Sequence, residues 1–515
     1  MTLRVLSKSE SKKTFRRSFS GANGEDFNLE TYLWESANIL RGHVDASDFK
    51  SYIFPLLFYK RISDVYDEEY KKALDDSDGD EEYASSDVNH RFQIPSGYHW
   101  NDLRSKSKNI GIFLQKSFRE IEKTNPSTLY GIFGDTNWGN KEKISDETLI
   151  NLVEHFSQIS LVNSKIEPDI LGNAYEYLIK RFADLTNKKA GEFYTPRSIV
   201  KLLTHFIDPK NNETIYDPAC GTAGMLLEAI DSIKKEKKDF RTVKLFGQES
   251  NLTTAAIARI NLFLHGLDDF KIIRGDTLRS PAFIEDNKLS TFDCVIANPP
   301  FSLEEWGYDV WQNDPFDRVI FGLPPKQFGD FAWIQHMISS MKKNTGRAGV
   351  VIASGALYRP TEKSIRKKLI ERDLLVAIIQ LSQNLFYGTN ISPCILVFRN
   401  LKKKIEKDNV LMIDATSLFE SGRAQNYLRD THIEKILDIF VHRKEVKHIS
   451  KIVTRGEITD KDYDLSLSKY IAPEYSENII SDSKIFSDFK QTKEDFKKSN
   501  SKLQKILVEM GMTYE

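Results

Sequence analysis

The chain has 515 residues, of which 40% are hydrophobic and 29% charged, with 73 Lys and Arg set against 74 Asp and Glu. This predicts a soluble, globular protein of several domains. No apolar run reaches the roughly 18 to 20 residues of a membrane span and no apolar signal core opens the chain, so a cytoplasmic protein without membrane association is expected. The charge balance excludes binding of nucleic acid through overall positive charge, so any such grip must be local or shared with a partner.

Residues 1–25 read as a basic flexible tail carrying Arg4, Lys8, Lys12, Lys13, Arg16 and Arg17. Residues 26–160 are predicted to form a helical domain. Leu33, Ala37, Leu40, Phe49, Ile53, Leu56, Leu57 and Ile62 recur there at three- and four-residue spacings, as one face of amphipathic helices requires. The acidic run from Asp75 to Glu82 reads as a solvated surface, and this part of the chain offers no recognisable chemistry.

From 161 to 460 short β-branched runs alternate with helical stretches, the pattern of an open α/β sheet. The predicted strands are Thr214–Tyr216, Val243–Phe246, Lys271–Ile273, Asp293–Ile296, Ala348–Ile352, Leu375–Ile379 and Cys394–Phe398, with Val410–Ile413 as a further candidate. Seven strands suit one doubly wound, Rossmann-like domain. The segment joining the last two of the seven has no good helical stretch, which favours an antiparallel pair at one edge. Residues 461–515 are predicted to be a helical extension: Phe489, Phe496, Leu503 and Met510 recur every seven residues, although the companion positions Thr492 and Ser499 are polar. Such a helix docks either on a partner or on its own body.

Chemistry concentrates at the predicted carboxyl ends of the strands. The first strand runs into Asp217-Pro218-Ala219-Cys220-Gly221-Thr222-Ala223-Gly224 and then a helix, a turn whose glycines admit a ligand to the backbone and whose free amides can donate to it. Alone, such a turn also fits NAD or another nucleotide, but the spacing is not that of a dinucleotide or phosphate loop. The second strand presents Glu249 where a ribose diol would lie, and the third presents Asp276, able to accept from an adenine amino group. The fourth empties into Asn298-Pro299-Pro300-Phe301, which alone reads as a turn. After three acids on three successive strands it reads as a site, because the Asn298 amide oxygen and the Pro299 carbonyl can accept from one exocyclic amino group and Phe301 can stack on its ring. Cys220, Cys294 and Cys394 lie far apart without a ligand-like cluster, so neither disulfide nor zinc site is expected. His336 reads as a packed helix residue.

With these segments the chain resembles the modification subunits of Type I restriction-modification systems, amino-group DNA methyltransferases that use S-adenosylmethionine. Asp217 to Gly224 matches the cofactor loop and Asn298 to Phe301 the target motif. Gly191-Glu192-Phe193-Tyr194-Thr195-Pro196-Arg197 resembles the segment that closes over the methionine part of the cofactor, and its position upstream of the cofactor loop gives the gamma motif order. Leu33–Gly42, Asp169–Leu178, Gly329–His336 and Leu385–Phe398 also look like family segments, so the likeness runs from about residue 29 to 470. Cys220, Thr277, Asn390 and Ser392 depart from the commoner residues.

The resemblance implies a seven-stranded S-adenosylmethionine-dependent methyltransferase sheet and transfer to adenine N6 in double-stranded DNA, with no metal required. It also implies a separate specificity subunit that selects the site, two modification subunits per specificity subunit, and a motor nuclease subunit in the full complex. Methylation of cytosine N4, an RNA base or a protein amide competes less well, as does a catalytically idle DNA-binding assembly module. Dinucleotide oxidoreduction is more distant, for want of its glycine signature.

Overall fold

The computed structural model describes residues 19–20, 26–185, 195–236, 238–386, 391–423, 425–473 and 482–510. The basic residues Arg4 to Arg17 lie outside them. Helix α1 (Leu29–Leu40) starts where the Asn28 side chain accepts from the Thr31 amide at 3.0 Å, satisfying one of the free donors of a first turn. It is followed by α2 (Phe49–Asp76), α3 (Ile110–Thr124), α4 (Asp146–Ser157) and α5 (Pro168–Leu185). The periodic positions Leu33, Ala37, Ile53, Leu57, Leu114, Leu152 and Leu178 meet in one buried core.

The sheet region opens with α6 (Arg197–Ile207), β1 (Thr214–Asp217), α7 (Gly224–Lys235), β2 (Lys244–Glu249), α8 (Leu252–Leu264) and β3 (Phe270–Arg274). It continues with β4 (Cys294–Ala297), α9 (Asp330–Ser339), β5 (Arg347–Ala353), α10 (Lys363–Glu371), β6 (Leu375–Leu381) and β7 (Pro393–Arg399). It ends with β8 (Asn409–Ala415), α11 (Asp430–His442) and β9 (Ser450–Thr454).

These strands form one nine-stranded sheet in the order β9-β8-β6-β7-β5-β4-β1-β2-β3. From β5 to β3 every pairing is parallel, while β7 runs antiparallel to both β5 and β6, as expected from the helix-free connection, but the pair is not at the expected edge, because β8 and β9 continue the sheet beyond β6. The count exceeds the expected seven by two. Strand β8, foreseen as a further candidate, pairs parallel with β6, and β9 pairs antiparallel with β8 at the edge. Only Ser450 and Val453 of β9 are buried, which explains why its sequence carried no strand signal.

Side chains alternate between two cores, as the two-residue strand period demands. Ile215, Cys294, Ile296 and Val351 face α6, α7, α8 and α11, whereas Tyr216, Val295, Val350 and Ile352 face α9 and α10. Helix α8 is apolar nearly all round because it serves two layers: Ala258 and Leu262 pack on the sheet, while Ile257, Ile260 and Phe263 belong to the helical core. Arg259 of α8 also donates to the Thr128 and Tyr130 carbonyls, tying the helical region to the sheet.

Residues 472–515 form a separate compact unit, described here by its helix α12 (Asp482–Glu509). The heptad residues Phe489, Phe496, Leu503 and Met510 are all exposed.

Candidate active site

Strand order reverses between β1 and β4, so the loops leaving their carboxyl ends diverge and open a crevice, the place where open α/β sheets bind ligands. A cleft of about 780 Å3, counted with its open mouth, lies there. Thr195, Arg197, Asp217, Gly221, Thr222, Gly224 and Asn298 all line it, from three separate stretches of sequence. Glu249, Asp276 and Phe301 stand outside its lining. Glu192, Phe193 and Tyr194 lie outside the described residues.

The glycine turn has the backbone such a site needs. Gly221 sits at φ +53° and Ala223 at +66°, in the left-handed region; for Ala223 this costs roughly 1–2 kcal/mol, so the surroundings must enforce it. Three hydrogen bonds do so. The Cys220 amide donates to the Gln248 carbonyl (3.0 Å), the Gly221 amide to Glu249 Oε2 (3.1 Å), and Asn261 Nδ2 to the Thr222 carbonyl (2.9 Å). At Gly247 an added Cβ would stand 2.6 Å from Ile272 and 2.9 Å from the Cys220 sulfur, so β2 must carry glycine for the turn to close against it. Gly224 lines the cleft, and an added Cβ there would meet no atom within 4 Å.

Asp217 is buried and accepts from the Ala219 amide at 3.0 Å. Burial, reinforced by the nearby Glu249 carboxylate, pushes its pKa up to about 8. Burial raises Glu249 as well, although that carboxylate accepts from the Gly221 amide and, through Oε1, from the Asn251 amide at 2.8 Å. A buried and a half-buried carboxylate, both held against their preference for water, suit a cationic ligand with hydrogen-bond donors. Asp276 is more exposed and engages its own turn: Oδ1 accepts from the Leu278 and Arg279 amides at 3.0 and 3.1 Å, leaving Oδ2 near the Arg279 guanidinium at 3.5 Å.

Across the crevice Asn298 leaves β4 and donates Nδ2 to Thr195 Oγ1 at 2.9 Å. Its Oδ1 is buried without a hydrogen-bond partner, a costly state unless a ligand donor completes it. Pro299 is buried, Pro300 exposed, and Phe301 is half-buried with its ring edge-on to Phe386, centroids 5.4 Å apart. Arg197 pairs with Glu176 of α5 at 2.6 Å while lining the cleft. His336 is buried on α9 with Nε2 3.1 Å from the Tyr216 hydroxyl, and burial depresses its pKa well below the usual imidazole range.

Several supporting residues carry no local motif. Thr277 Oγ1 donates to the Pro218 carbonyl at 2.6 Å, binding the Asp276 turn to the glycine turn. The fully buried Arg318 donates to the Thr277 and Leu278 carbonyls at 3.1 and 2.9 Å and pairs with Asp314 at 2.6 Å. Asn261 belongs to this group too. Each lies many residues from the element it holds, so no spacing rule could have found it.

An open sheet with acids at the switch point, a glycine turn, and an unpaired amide oxygen after β4 matches known proteins along most of its length. The family of N-6 DNA methylases matches residues 166–478, and the HsdM N-terminal domain matches residues 29–156. The methylase subunit of the Type I restriction enzyme MjaVII of Methanocaldococcus jannaschii is 31% identical over 509 residues, covering 94% of this chain and 83% of that one. That of MpnII from Mycoplasma pneumoniae is 32% identical over 491 residues, covering 87% and 89%. The crystal structure of a type I restriction-modification methyltransferase subunit from Streptococcus thermophilus superposes with a TM-score of 0.75 at 29% identity, covering 86% of this chain and 99% of that one. The chain belongs to the N-6 DNA methylase family, among the methylase subunits of Type I restriction enzymes. Its activity is accordingly S-adenosylmethionine-dependent methylation of adenine N6 in DNA, as the modification subunit of a Type I system.

Proposed function

We propose that Asn298, Pro299, Pro300 and Phe301 receive an adenine rotated out of double-stranded DNA. The cleft lined by Thr195, Arg197, Asp217, Gly221, Thr222 and Gly224, together with Pro196 and Ala223, holds the methionine end of S-adenosylmethionine. Glu249 takes its ribose and Asp276 its adenine amino group, through the oxygen not engaged by the turn amides. Glu192, Phe193 and Tyr194 complete the cofactor segment. The observation that carries this reading is the buried, unpartnered Asn298 Oδ1, held by Thr195 at the mouth of a cleft lined by a buried acid.

When bound, the cofactor supplies an electrophilic sulfonium methyl group. Adenine N6 is a poor nucleophile because its lone pair is delocalised into the ring. Asn298 Oδ1 and the Pro299 carbonyl accept its two hydrogens, pull the nitrogen toward tetrahedral geometry and direct the lone pair into the cleft. No strong base has to act before attack, since the proton is lost once the nitrogen carries positive charge. Phe301 stacks on the extruded ring, and DNA contacts repay the few kcal/mol of unpairing.

The assembly pairs this chain with duplex DNA and a specificity subunit, at two modification subunits per specificity subunit, with a motor nuclease subunit joining for restriction. Residues 26–160 are a helical domain, 161–460 the catalytic domain and 461–515 the extension, whose α12 seam meets the specificity subunit. The protein works in the cytoplasm.

The test is a set of three substitutions in the assembled methyltransferase. Asn298→Ala and Phe301→Ala abolish methyl transfer and leave cofactor affinity within about twofold, while Glu249→Ala weakens cofactor binding on the order of tenfold or more. Equal losses of transfer and cofactor affinity in Asn298→Ala would reject the division of roles, and an unchanged dissociation constant in Glu249→Ala would remove that residue from the ribose.

A further inference from the structure

Ser302, the residue after Phe301, sits at φ +49°, in the left-handed region that a side chain disfavours. Its conformation is imposed by a buried charge cluster. The Ser302 amide donates to Asp330 Oδ1 at 3.1 Å, and Asp330 Oδ2 accepts from Arg359 Nη2 at 2.9 Å. The same nitrogen reaches Ser302 Oγ at 3.3 Å, and Arg359 Nη1 meets Glu362 Oε1 and Oε2 at 3.1 and 3.0 Å. The side chains of Asp330 and Glu362 are 1% and 0% exposed and that of Arg359 14%.

Three elements supply this cluster: the first turn of α9, the loop after β5 and the short turn preceding α10. Strands β4 and β5 are parallel neighbours with Ala297 opposite Val350, so their loops leave the same edge of the sheet. The guanidinium lies 3.9 Å from the centroid of the Phe328 ring and passes over Gly355, where an added Cβ would stand 2.9 Å from two of its nitrogens. Arg366 Nη1 donates to the Arg359 carbonyl at 2.8 Å, which fixes the backbone behind it.

Burying one cation between two acids is a poor way to gain stability, because apolar side chains of similar volume do as well or better. It is a good way to define direction, since a planar guanidinium satisfies its partners in one orientation. The direction defined here is that of the chain at Ser302, one residue beyond Phe301. Asn298 is held from the other side by Thr195, so the tetrapeptide is anchored at both ends.

We infer that Arg359, fixed between Asp330 and Glu362, is a positioning residue for methyl transfer: it sets the backbone at Ser302 and thereby aims the Pro299 carbonyl and the Phe301 ring at the target base. The inference rests on reading Asn298 to Phe301 as the target site. Arg359 is assigned no contact with the base, since its Nη1 and Nη2 donors are already engaged by Ser302 and the two acids.

The test uses the assembled methyltransferase on a duplex with one site, under single turnover and saturating cofactor. Arg359→Lys keeps the charge and loses the fork; it should slow transfer on the order of 10- to 100-fold, with cofactor dissociation constant, DNA KM and melting temperature near wild type. The slowing should persist on a duplex whose target adenine faces an abasic position, where extrusion is already inexpensive. Asp330→Asn, which retains an acceptor for the Ser302 amide and loses the anion facing Arg359, should act in the same direction and serves if Arg359→Lys does not fold. An unchanged rate overturns the inference, as does a loss matched by falling cofactor affinity or stability, or one repaired by the abasic partner strand. Asn298→Ala separates the two levels: if it stays active, the target-site reading fails, whereas an inactive Asn298→Ala beside a fully active Arg359→Lys removes only this inference.

Discussion

Asn298 donates its amide nitrogen to the Thr195 hydroxyl at 2.9 Å, which leaves the other end of the amide for a ligand. With Nδ2 engaged, the buried Oδ1 is the free acceptor. Thr195→Val removes the oxygen and keeps the shape, so Nδ2 loses its partner and the amide is held less firmly. Single-turnover transfer should fall about tenfold, the worth of roughly one hydrogen bond, with little change in folding stability. Wild-type transfer by Thr195→Val would show that Asn298 is oriented by something else.

If Asp217 meets the cofactor as proposed, cofactor binding should depend on pH. Its folded pKa of about 8 lies above the ordinary value of 3.8, because burial penalises the carboxylate. The folded state therefore holds an extra proton between pH ~4 and ~8. The stability this contributes is complete below about 4, is lost progressively as pH rises toward about 8, and does not change further above that. A cationic cofactor favours the ionised acid, so binding at pH 7 should release up to about one proton and tighten as pH rises toward 8. Calorimetry at pH 7 in buffers of different ionisation enthalpy measures the release directly. Asp217→Asn should reduce it, and a wild-type protein that binds cofactor without releasing a proton would contradict the role given to this acid.

The sheet was legible because parallel strands buried on both faces leave continuous apolar runs, such as Ala348 to Ile352. Strand β9 was not, since its pattern is that of a half-exposed edge. At the site, the residues presented by strand ends could be read in order: Asp217 and Glu249 close their strands, and Asp276 and Asn298 follow theirs. The structure brings Asp217 and Asn298 to one cleft, keeps Glu249 one hydrogen bond away from it through Gly221, and occupies one oxygen of Asp276 with its own turn. The residues that hold these in place were not legible. Asp330 and Arg359 lie 28 and 57 residues beyond Ser302, and only the folded chain shows that they converge on it. The seven-residue spacing of α12 was visible, but the sequence left open whether it packs within the chain or on a partner.

Arg318 should be a large stability determinant although it touches neither proposed ligand. Its side chain is fully buried, Asp314 beside it is 2% exposed, and Trp311 covers the guanidinium at 4.5 Å. Arg318→Met leaves the Asp314 carboxylate buried and unpaired and frees the Thr277 carbonyl, while that of Leu278 keeps the Trp311 indole donor, a loss of about 3–5 kcal/mol in urea unfolding. The double change Arg318→Met with Asp314→Leu should recover part of it, since the stranded charge is gone. A single substitution costing under about 1 kcal/mol would mean that water reaches this pair.

The α12 seam gives the clearest test of assembly. Phe489 and Phe496 are 63% and 69% exposed, seven residues apart on one helix face, with Leu503 and Met510 continuing the row. Burying a side chain of this kind is worth about 1.5–3 kcal/mol, so a partner that covers both rings gains several kcal/mol from them. Phe489→Asp with Phe496→Asp should weaken association with the specificity subunit on the order of 100-fold or more, because the row loses its apolar area and gains two charges to desolvate. Cofactor binding by the free chain should not change, since Asp217 and Asn298 lie in the other compact unit. Size-exclusion chromatography of the coexpressed subunits reads the first effect and calorimetry the second. A doubly substituted chain that still elutes as the full complex at submicromolar concentration would move the contact away from α12, whereas loss of cofactor binding alongside assembly would show that the extension supports the catalytic fold.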